Sequence, residues 1–218
     1  MLVRYLGHSA FEIRGSKTIY IDPFLTGNPK AAIRLEDVRH ADLVLVSHDH
    51  EDHLGDAAAI CKKTGATFVS TYEIATALAE SAGIAAEGMN IGGGIDLDGV
   101  RVNLVHAIHT SPTSDPAGIV LEMDGKVVYH LGDTALFGDM ALYAQIWAFD
   151  LALVPIGDRF TMGPEMAARA VEFLRPKKVV PMHYDTFPVI RQDPRRFAEL
   201  VGKRSQVVVL APGESLEL

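Results

Sequence analysis

Six consecutive side chains in this sequence can bind a metal or carry a proton. They are three histidines and three carboxylates: His48, Asp49, His50, Glu51, Asp52 and His53. They follow the apolar run at residues 43–46, which is typical of a buried strand, and His48 and His50 lie on the same side of an extended chain. So many chargeable groups are costly to pack together unless a cation is held among them. Because divalent metals prefer imidazole and carboxylate ligands, the pattern predicts a metal site; a solvated polar loop is the alternative.

Three further candidate ligands each come just after a predicted strand. They are His109 after residues 100–105, Asp133 after residues 126–130 and His183 after residues 177–181. The carboxylate of Asp133 has two oxygens and could bridge two cations, although it could instead cap a helix. His106 competes with His109, but it continues the apolar face of its strand, which suits a packed histidine. The sequence therefore favours His109.

Two residues near the start of the chain could support such a site. Asp22 ends the strand predicted at residues 18–21 and precedes Pro23. It could start a turn, or accept a hydrogen bond from the free N–H of a ligand histidine and fix its tautomer. His8 lies between two predicted strands, where a lone histidine is often structural. His130 is predicted to be structural as well.

The elements that must position these residues alternate between strand and helix, which indicates a layered α/β architecture. Strands are predicted at residues 2–6, 9–14, 18–21, 43–46, 66–70, 95–97, 100–105, 118–123, 126–130, 150–155, 177–181 and 206–210. Helices are predicted at residues 55–63, 71–82, 164–174 and 194–201. Residues 24–39 form a long loop that could wall a cleft. Asp124-Gly125 predicts a hairpin turn, and the three glycines at 92–94 predict a turn rather than a phosphate-binding loop.

Composition limits the class of protein. A chain of 218 residues fits one domain or at most two small ones. Its 48% hydrophobic and 22% charged residues are ordinary for a globular protein, and no apolar run reaches the roughly 18–20 residues that span a bilayer. The start of the chain resembles a strand rather than a signal peptide, which predicts a cytoplasmic protein. The single cysteine, Cys61, excludes an internal disulfide and is expected to be a buried structural thiol.

The formal net charge of −8 argues against a large nucleic-acid footprint, which needs clustered lysine and arginine. It leaves room for a small anionic substrate, because bound metals supply local positive charge. The expected partner is thus a small molecule rather than a nucleic acid or a membrane, and a homo-oligomer remains open.

The motif His48-x-His50-x-Asp52-His53 after a buried strand resembles the signature of the metallo-β-lactamase-fold hydrolases. The resemblance covers essentially the whole chain. It implies one domain over residues 1–218 of the α/β class (α+β by some schemes), built as a four-layer αββα sandwich with helices outside two facing sheets. It also implies two metal ions. One is held by His48, His50 and His109, the other by Asp52, His53 and His183, and Asp133 bridges them.

Other short motifs resemble a small branch of that superfamily. They are Gly7-His8-Ser9, Ile21-Asp22-Pro23-Phe24 and Phe160-Thr161-Met162-Gly163. This branch is similar to the ascorbate-phosphate lactonase group and to phosphodiesterases of lipid or nucleotide substrates. The resemblance places His8 near the metals as a substrate contact, so that His8 and Asp52 are the catalytic candidates. Asp158, Arg159 and Thr161 are candidate substrate contacts, with an Asp–Arg surface pair as the alternative.

The predicted chemistry is hydrolysis. Two divalent cations outweigh the negative charges of Asp52, Asp133 and a bound hydroxide. The remaining positive charge lowers the pKa of a bridging water to about 7 and stabilises oxyanions. Zinc is the first choice, with manganese or iron as alternatives; the substrate would be a small ester, lactone or phosphodiester. The other hypotheses are a tRNA 3′-processing-type nuclease, a di-iron oxidoreductase and a metal-binding regulatory protein without turnover.

Overall fold

Two seven-stranded sheets form the centre of the computed structural model, which describes residues 1–218. In spatial order, the first sheet contains β14 (Ser215–Glu217), β1 (Leu2–Gly7), β2 (Ala10–Arg14), β3 (Thr18–Ile21), β4 (Leu43–Leu45), β5 (Thr67–Thr71) and β6 (Ala86–Met89). The second contains β13 (Gln206–Val207), β12 (Lys178–Met182), β11 (Leu151–Pro155), β10 (Lys126–His130), β9 (Ala117–Met123), β8 (Val100–His106) and β7 (Gly94–Leu97). Strands β3–β6 and β10–β13 pair in parallel, and the remaining strand pairs are antiparallel.

The chain has six helices. They are α1 (Glu51–Leu54), α2 (Ala57–Thr64), α3 (Tyr72–Ala82), α4 (Met140–Ile146), α5 (Pro164–Leu174) and α6 (Pro194–Val201). Of these, α2–α6 pack on the outer faces of the sheets and α1 carries two of the candidate ligands. Single 3-10 turns occur at Leu35–Asp37, Pro188–Ile190 and Gly202–Arg204. None of the helices has the length and apolar character needed to span a bilayer.

Three apolar cores separate the layers. The central core joins inward residues of both sheets, for example Ile13 with Leu121 and Leu153. A second core packs α2 and α3 on the first sheet, and a third packs α4, α5 and α6 on the second sheet. The layers therefore run helix, sheet, sheet, helix, which confirms the predicted αββα sandwich. Cys61 is buried in the second core, as predicted, and burial raises the pKa of its thiol to about 12.

The parallel strands bring the polar segments to one edge of the sandwich. The 48–53 motif follows β4, Asp133 follows β10 and His183 follows β12. Two backbone hydrogen bonds join the sheets at this edge. The Ala117 amide donates to the Ser47 carbonyl at 3.0 Å, and the His183 amide donates to the His8 carbonyl at 2.8 Å.

Some predicted boundaries are wrong. The helix expected at residues 55–63 is α2, which begins at Ala57. A separate short helix, α1, precedes it, so Asp52 and His53 lie on a helical turn. Gly55 separates the two helices with a positive φ of 41°, and a side chain there would lie 2.6 Å from the Pro23 carbonyl oxygen. The strand expected at residues 206–210 ends at Val207.

Four of the short helices and strands were not predicted from the sequence: α1, β6, α4 and β14. β6 has the sequence Ala-Glu-Gly-Met, which has weak strand propensity. It forms because it pairs with β5, and β14 likewise pairs with β1. Tertiary pairing rather than local sequence therefore determines these strands.

Tyr129 has a buried hydroxyl group that lowers the stability of the core. Its ring is fully buried against Phe149, with the centroids 5.3 Å apart, and its hydroxyl has no hydrogen-bond partner. Because a buried, unpaired hydroxyl is unfavourable, we expect Tyr129→Phe to raise the free energy of unfolding by about 1 kcal/mol in urea denaturation. Tyr20→Phe is the matched control. The Tyr20 hydroxyl donates to Glu12 Oε1 at 2.8 Å, so its loss should lower stability by about 1 kcal/mol. A destabilised Tyr129→Phe protein would contradict this account.

Candidate metal centre

The structure brings all seven predicted ligands together where the strands of the two sheets end. Three sets of ligand atoms each lie within 4.8 Å of one another, and the sets share members. They are His8, Asp52, His53 and His183; then His48, His50 and His109; then His48, His53 and Asp133. The cluster is therefore continuous from one set to the next.

Asp133 occupies the middle of this cluster. Its Oδ1 lies 3.3 Å from His53 Nε2, while its Oδ2 lies 3.1 Å from His183 Nε2 and 3.5 Å from His109 Nε2. Burial alone would raise the pKa of Asp133, but His183 and His53 outweigh that effect and hold the pKa well below its usual range. The side chain is thus an ionised carboxylate whose two oxygens face different histidines. This is the arrangement that a bridging ligand requires.

His53 is held between two buried carboxylates. Its Nδ1 donates to Asp22 Oδ2 at 2.7 Å, which leaves Nε2 facing Asp133. Although burial opposes it, the charges of Asp133 and Asp22 raise the pKa of His53 well above its usual value. Asp22 has no exposed surface, and it also accepts hydrogen bonds from the Ser47 amide (2.7 Å) and the Ser47 hydroxyl (2.6 Å). Of the two roles that the sequence allows for Asp22, the structure therefore shows the hydrogen bond to a candidate ligand histidine.

The donor set fits a divalent cation. His53 Nε2 and Asp133 Oδ1 are fully buried and face each other, yet neither has a hydrogen-bond partner. A metal ion would satisfy both atoms. His48 lies beside them with its Nε2 2.9 Å from His50 Nδ1. Burial lowers the pKa of His48 to about 3 and also lowers that of His109, so both imidazoles are neutral and can offer a lone pair.

Comparison with known proteins identifies the family. A family model described as "Beta-lactamase superfamily domain" matches residues 17–184. The chain belongs to the beta-lactamase superfamily. A metal-dependent hydrolase of Thermococcus kodakarensis is 51% identical over 223 residues, and the match covers 99% of each chain. Another from Pelotomaculum thermopropionicum is 51% identical over 230 residues, covering both chains completely.

A solved structure agrees with this assignment. Igni18, described as a novel metallo hydrolase from the hyperthermophilic archaeon Ignicoccus hospitalis, is similar with a TM-score of 0.94 and 42% sequence identity. The match covers 100% of this chain and 98% of that one. The protein is a metal-dependent hydrolase of the metallo-β-lactamase superfamily.

His8 lies in a sharp turn after β1, and its side chain belongs to the ligand cluster. Gly7 has a φ of +106°, and a side chain there would lie 2.5 Å from the Lys30 carbonyl oxygen. The pKa of His8 falls to about 4 through burial and the nearby His183, so the ring is neutral. Its Nε2 donates to Asp52 Oδ2 at 3.0 Å, and its Nδ1 accepts from the Thr186 hydroxyl at 2.8 Å.

The geometry shows which atoms His8 contacts. The side chain has no exposed surface, and both ring nitrogens have a hydrogen-bond partner, Asp52 or Thr186. The contact of His8 with substrate stays a prediction. Asp52 is itself 31% exposed, which makes it the accessible carboxylate of the cluster. Burial would raise the pKa of Asp52, but the hydrogen bond from His8 and the charge of His53 lower it.

The structure places His109, and not His106, within the ligand cluster. The His109 ring lies 5.2 Å from both the His48 and His50 rings, measured between centroids. His106 is outside the cluster, as predicted, but it is exposed rather than packed in a core. It lies at the margin of the sheet, where β8 ends, with its ring 5.3 Å from that of Phe137.

Metal content should separate these two histidines. We expect His109→Ala to lose metal, because it removes a nitrogen from the cluster. His106→Ala should keep the content of the unchanged protein, because its side chain lies outside. Elemental analysis of the two purified variants checks this, and the opposite result would exchange the two assignments.

Two carboxylates of the 48–53 motif do not face the centre. Glu51 is exposed. Asp49 turns toward the segment after His109, where Oδ2 accepts from the Thr113 hydroxyl at 2.6 Å and Oδ1 accepts from the Ser111 hydroxyl. Burial would raise the pKa of Asp49, but these hydrogen bonds outweigh it and lower the pKa. The six groups of the motif therefore do not share one site.

The loop after β11 contains the three candidate substrate contacts, Asp158, Arg159 and Thr161, which differ in exposure. The Met162 amide donates to the Thr134 carbonyl at 3.2 Å, next to Asp133. Asp158 and Arg159 are exposed and form no ion pair with each other. Thr161 is mostly buried, and its hydroxyl donates to the Met162 carbonyl at 3.3 Å; its contact with substrate stays a prediction.

Several supporting residues were missed in the sequence. Ser47 and Thr186 carry no metal-ligand chemistry, and Thr186 is 178 positions from the histidine it contacts. The hydroxyls of Ser111 and Thr113 likewise lie 62 and 64 positions from the Asp49 carboxylate that they contact. His130 is structural, as predicted: Nε2 donates to the Ser9 carbonyl at 2.9 Å, and Nδ1 accepts from the Gly132 amide at 3.1 Å.

Proposed function

We propose that the protein is a dinuclear hydrolase of a small ester, lactone or phosphodiester. In this proposal His48, His50 and His109 hold one divalent ion, Asp52, His53 and His183 hold the other, and Asp133 bridges them. The observation that carries it is the central position of Asp133, whose two oxygens face histidines of both groups. Zinc is the preferred metal, because the donors are imidazoles and carboxylates with no thiolate.

The proposed reaction divides the work between metal and protein. A pair of bound divalent ions would supply hydroxide at neutral pH and stabilise an oxyanion. Asp52 is the most exposed carboxylate of the cluster. Because its pKa is low, it stays ionised and accepts a hydrogen bond from the attacking water. His8, whose Nε2–H is directed at Asp52 Oδ2, keeps that carboxylate in one orientation.

The surroundings of the site favour an uncharged substrate with an apolar group. Three large apolar side chains are exposed on segments next to the ligands: Ile108, Phe160 and Val189, at 44%, 54% and 52%. Ile108 adjoins His109, and Val189 lies in the 3-10 turn after His183. Residues 107–116, 157–163 and 188–190 contain one cationic side chain, Arg159, and two carboxylates, Asp115 and Asp158. Protein charge therefore offers little attraction to a phosphodiester, so an ester or lactone is preferred.

Metal analysis with a substrate screen tests the proposal. The purified protein should contain two equivalents of metal and hydrolyse members of an ester and lactone panel faster than bis-p-nitrophenyl phosphate. Faster turnover of the phosphodiester would reverse the substrate preference, and cleavage of tRNA precursors alone would favour the nuclease hypothesis. Two bound metals with no turnover on any panel would favour a regulatory metal-binding protein.

A further inference from the structure

We propose that Asp49 is a positioning residue. By hydrogen bonding to the segment after His109, it keeps His109 in place beside the other ligands of one metal ion. This inference rests on the proposed function, because it treats His109 as a ligand. Asp49 lies in the chain between two other ligands of the same ion, His48 and His50. One carboxylate thus links the two ends of the ligand set.

The evidence is a set of converging hydrogen bonds between segments more than 60 positions apart. Asp49 Oδ2 accepts from the Thr113 hydroxyl at 2.6 Å, and Oδ1 accepts from the Ser111 hydroxyl. Oδ1 also accepts from the Thr113 amide at 3.4 Å, while the Asp49 amide donates to Ser111 Oγ at 3.4 Å. Both oxygens are therefore committed to residues just beyond His109.

The segment needs this support on its carboxyl-terminal side. Before His109, the backbone of Ile108 is held at both groups: its amide donates to the Thr134 hydroxyl at 3.0 Å, and its carbonyl accepts from the Ala135 amide at 2.9 Å. After His109, residues 110–116 form no backbone–backbone hydrogen bonds, and the next one is made by the Ala117 amide. Asp49 supplies most of the polar contacts over that stretch, with a further one from Ser114 to Glu73 at 3.2 Å.

Asp49 could act by positioning the segment after His109 or by its negative charge, and mutants distinguish these two roles. If it acts by position, the effect passes through the hydroxyls of Ser111 and Thr113. If it acts by negative charge near the metals, the hydroxyls are irrelevant. Glu51→Ala is a matched control, because it removes a carboxylate from the same motif that is exposed and forms no side-chain hydrogen bond.

The test titrates metal-free protein with Zn²⁺ in competition with a chromophoric chelator, which reports the two affinities separately. Asp49→Ala should weaken one of the two sites by about 10- to 100-fold, the range for residues that orient ligands. The other site should change by less than about threefold, as should both sites of Glu51→Ala. The Ser111→Ala/Thr113→Val double variant should match Asp49→Ala, and the triple variant should show no further loss, because the three residues act as one unit.

A second measurement does not depend on metal. Hydrogen exchange of amides 109–116 in the metal-free protein should be faster in Asp49→Ala and in the double variant, but unchanged in Glu51→Ala. Additive losses in the triple variant, or equal weakening of both sites, would overturn the proposal. If the wild type binds fewer than two ions, the proposed function fails, whereas unchanged exchange rates reject the Asp49 inference alone. Should Asp49→Ala fail to fold, the double variant gives the same decision.

Discussion

Replacing Asp133 with asparagine is expected to lower kcat/KM by at least about a thousandfold, which corresponds to about 4 kcal/mol of transition-state stabilisation. The amide has the size of the carboxylate but has one acceptor oxygen and no charge. It can therefore not face His53 with one acceptor and His183 with another, as the two oxygens do now. Metal content should fall from two ions per chain to one or none, measured on the purified protein.

Asp139→Asn provides the control for this substitution. Asp139 is an exposed aspartate six positions later, and its side chain makes no capping hydrogen bond to α4. It should keep both full activity and full metal content. If Asp133→Asn retained two ions and its activity, Asp133 would not be a bridging ligand, and the proposed dinuclear arrangement would be wrong.

The sequence predicted those parts of the site that depend on local pattern. The 48–53 motif follows an apolar strand, and Asp133 and His183 likewise come directly after strands, so parallel pairing brings them to one edge. Contacts made by ordinary polar residues far along the chain could not be predicted in this way. Thr186 binds His8 and Thr113 binds Asp49, at separations of 178 and 64 positions. The sequence around each threonine contains no signal that distinguishes it from a threonine on the surface.

Errors in the predicted elements have the same origin. The layers were predictable because the strands and α5 have clear apolar patterns, whereas β6 and β14 exist through pairing with a neighbour. The ring of His8 contacts Asp52 and Thr186, which lie 44 and 178 positions away in the sequence. In each case a long-range contact, rather than a local preference, decided the outcome.

Asp22→Asn is expected to lower Zn²⁺ affinity by about 10- to 100-fold while leaving the fold intact. Asp22 Oδ1 accepts from the Ser47 amide, and Oδ2 accepts from His53 Nδ1 and from the Ser47 hydroxyl. The asparagine oxygen can keep the bond to the Ser47 amide, which places its NH₂ group against His53 Nδ1. Two donors would then face each other, so His53 must move its proton to Nε2. That nitrogen faces Asp133 and would no longer offer a lone pair to metal.

Asp150→Asn separates this tautomer effect from a general loss of stability. Asp150 is also mostly buried, and it accepts from the Val127 amide at 3.0 Å and from Lys177 Nζ at 2.8 Å. It precedes β11, so it lies at the opposite end of that strand from the metal centre. We expect Asp150→Asn to lower the thermal midpoint without changing Zn²⁺ affinity, whereas Asp22→Asn should change affinity more than stability. Equal losses of affinity in both variants would show that Asp22 acts only through the fold.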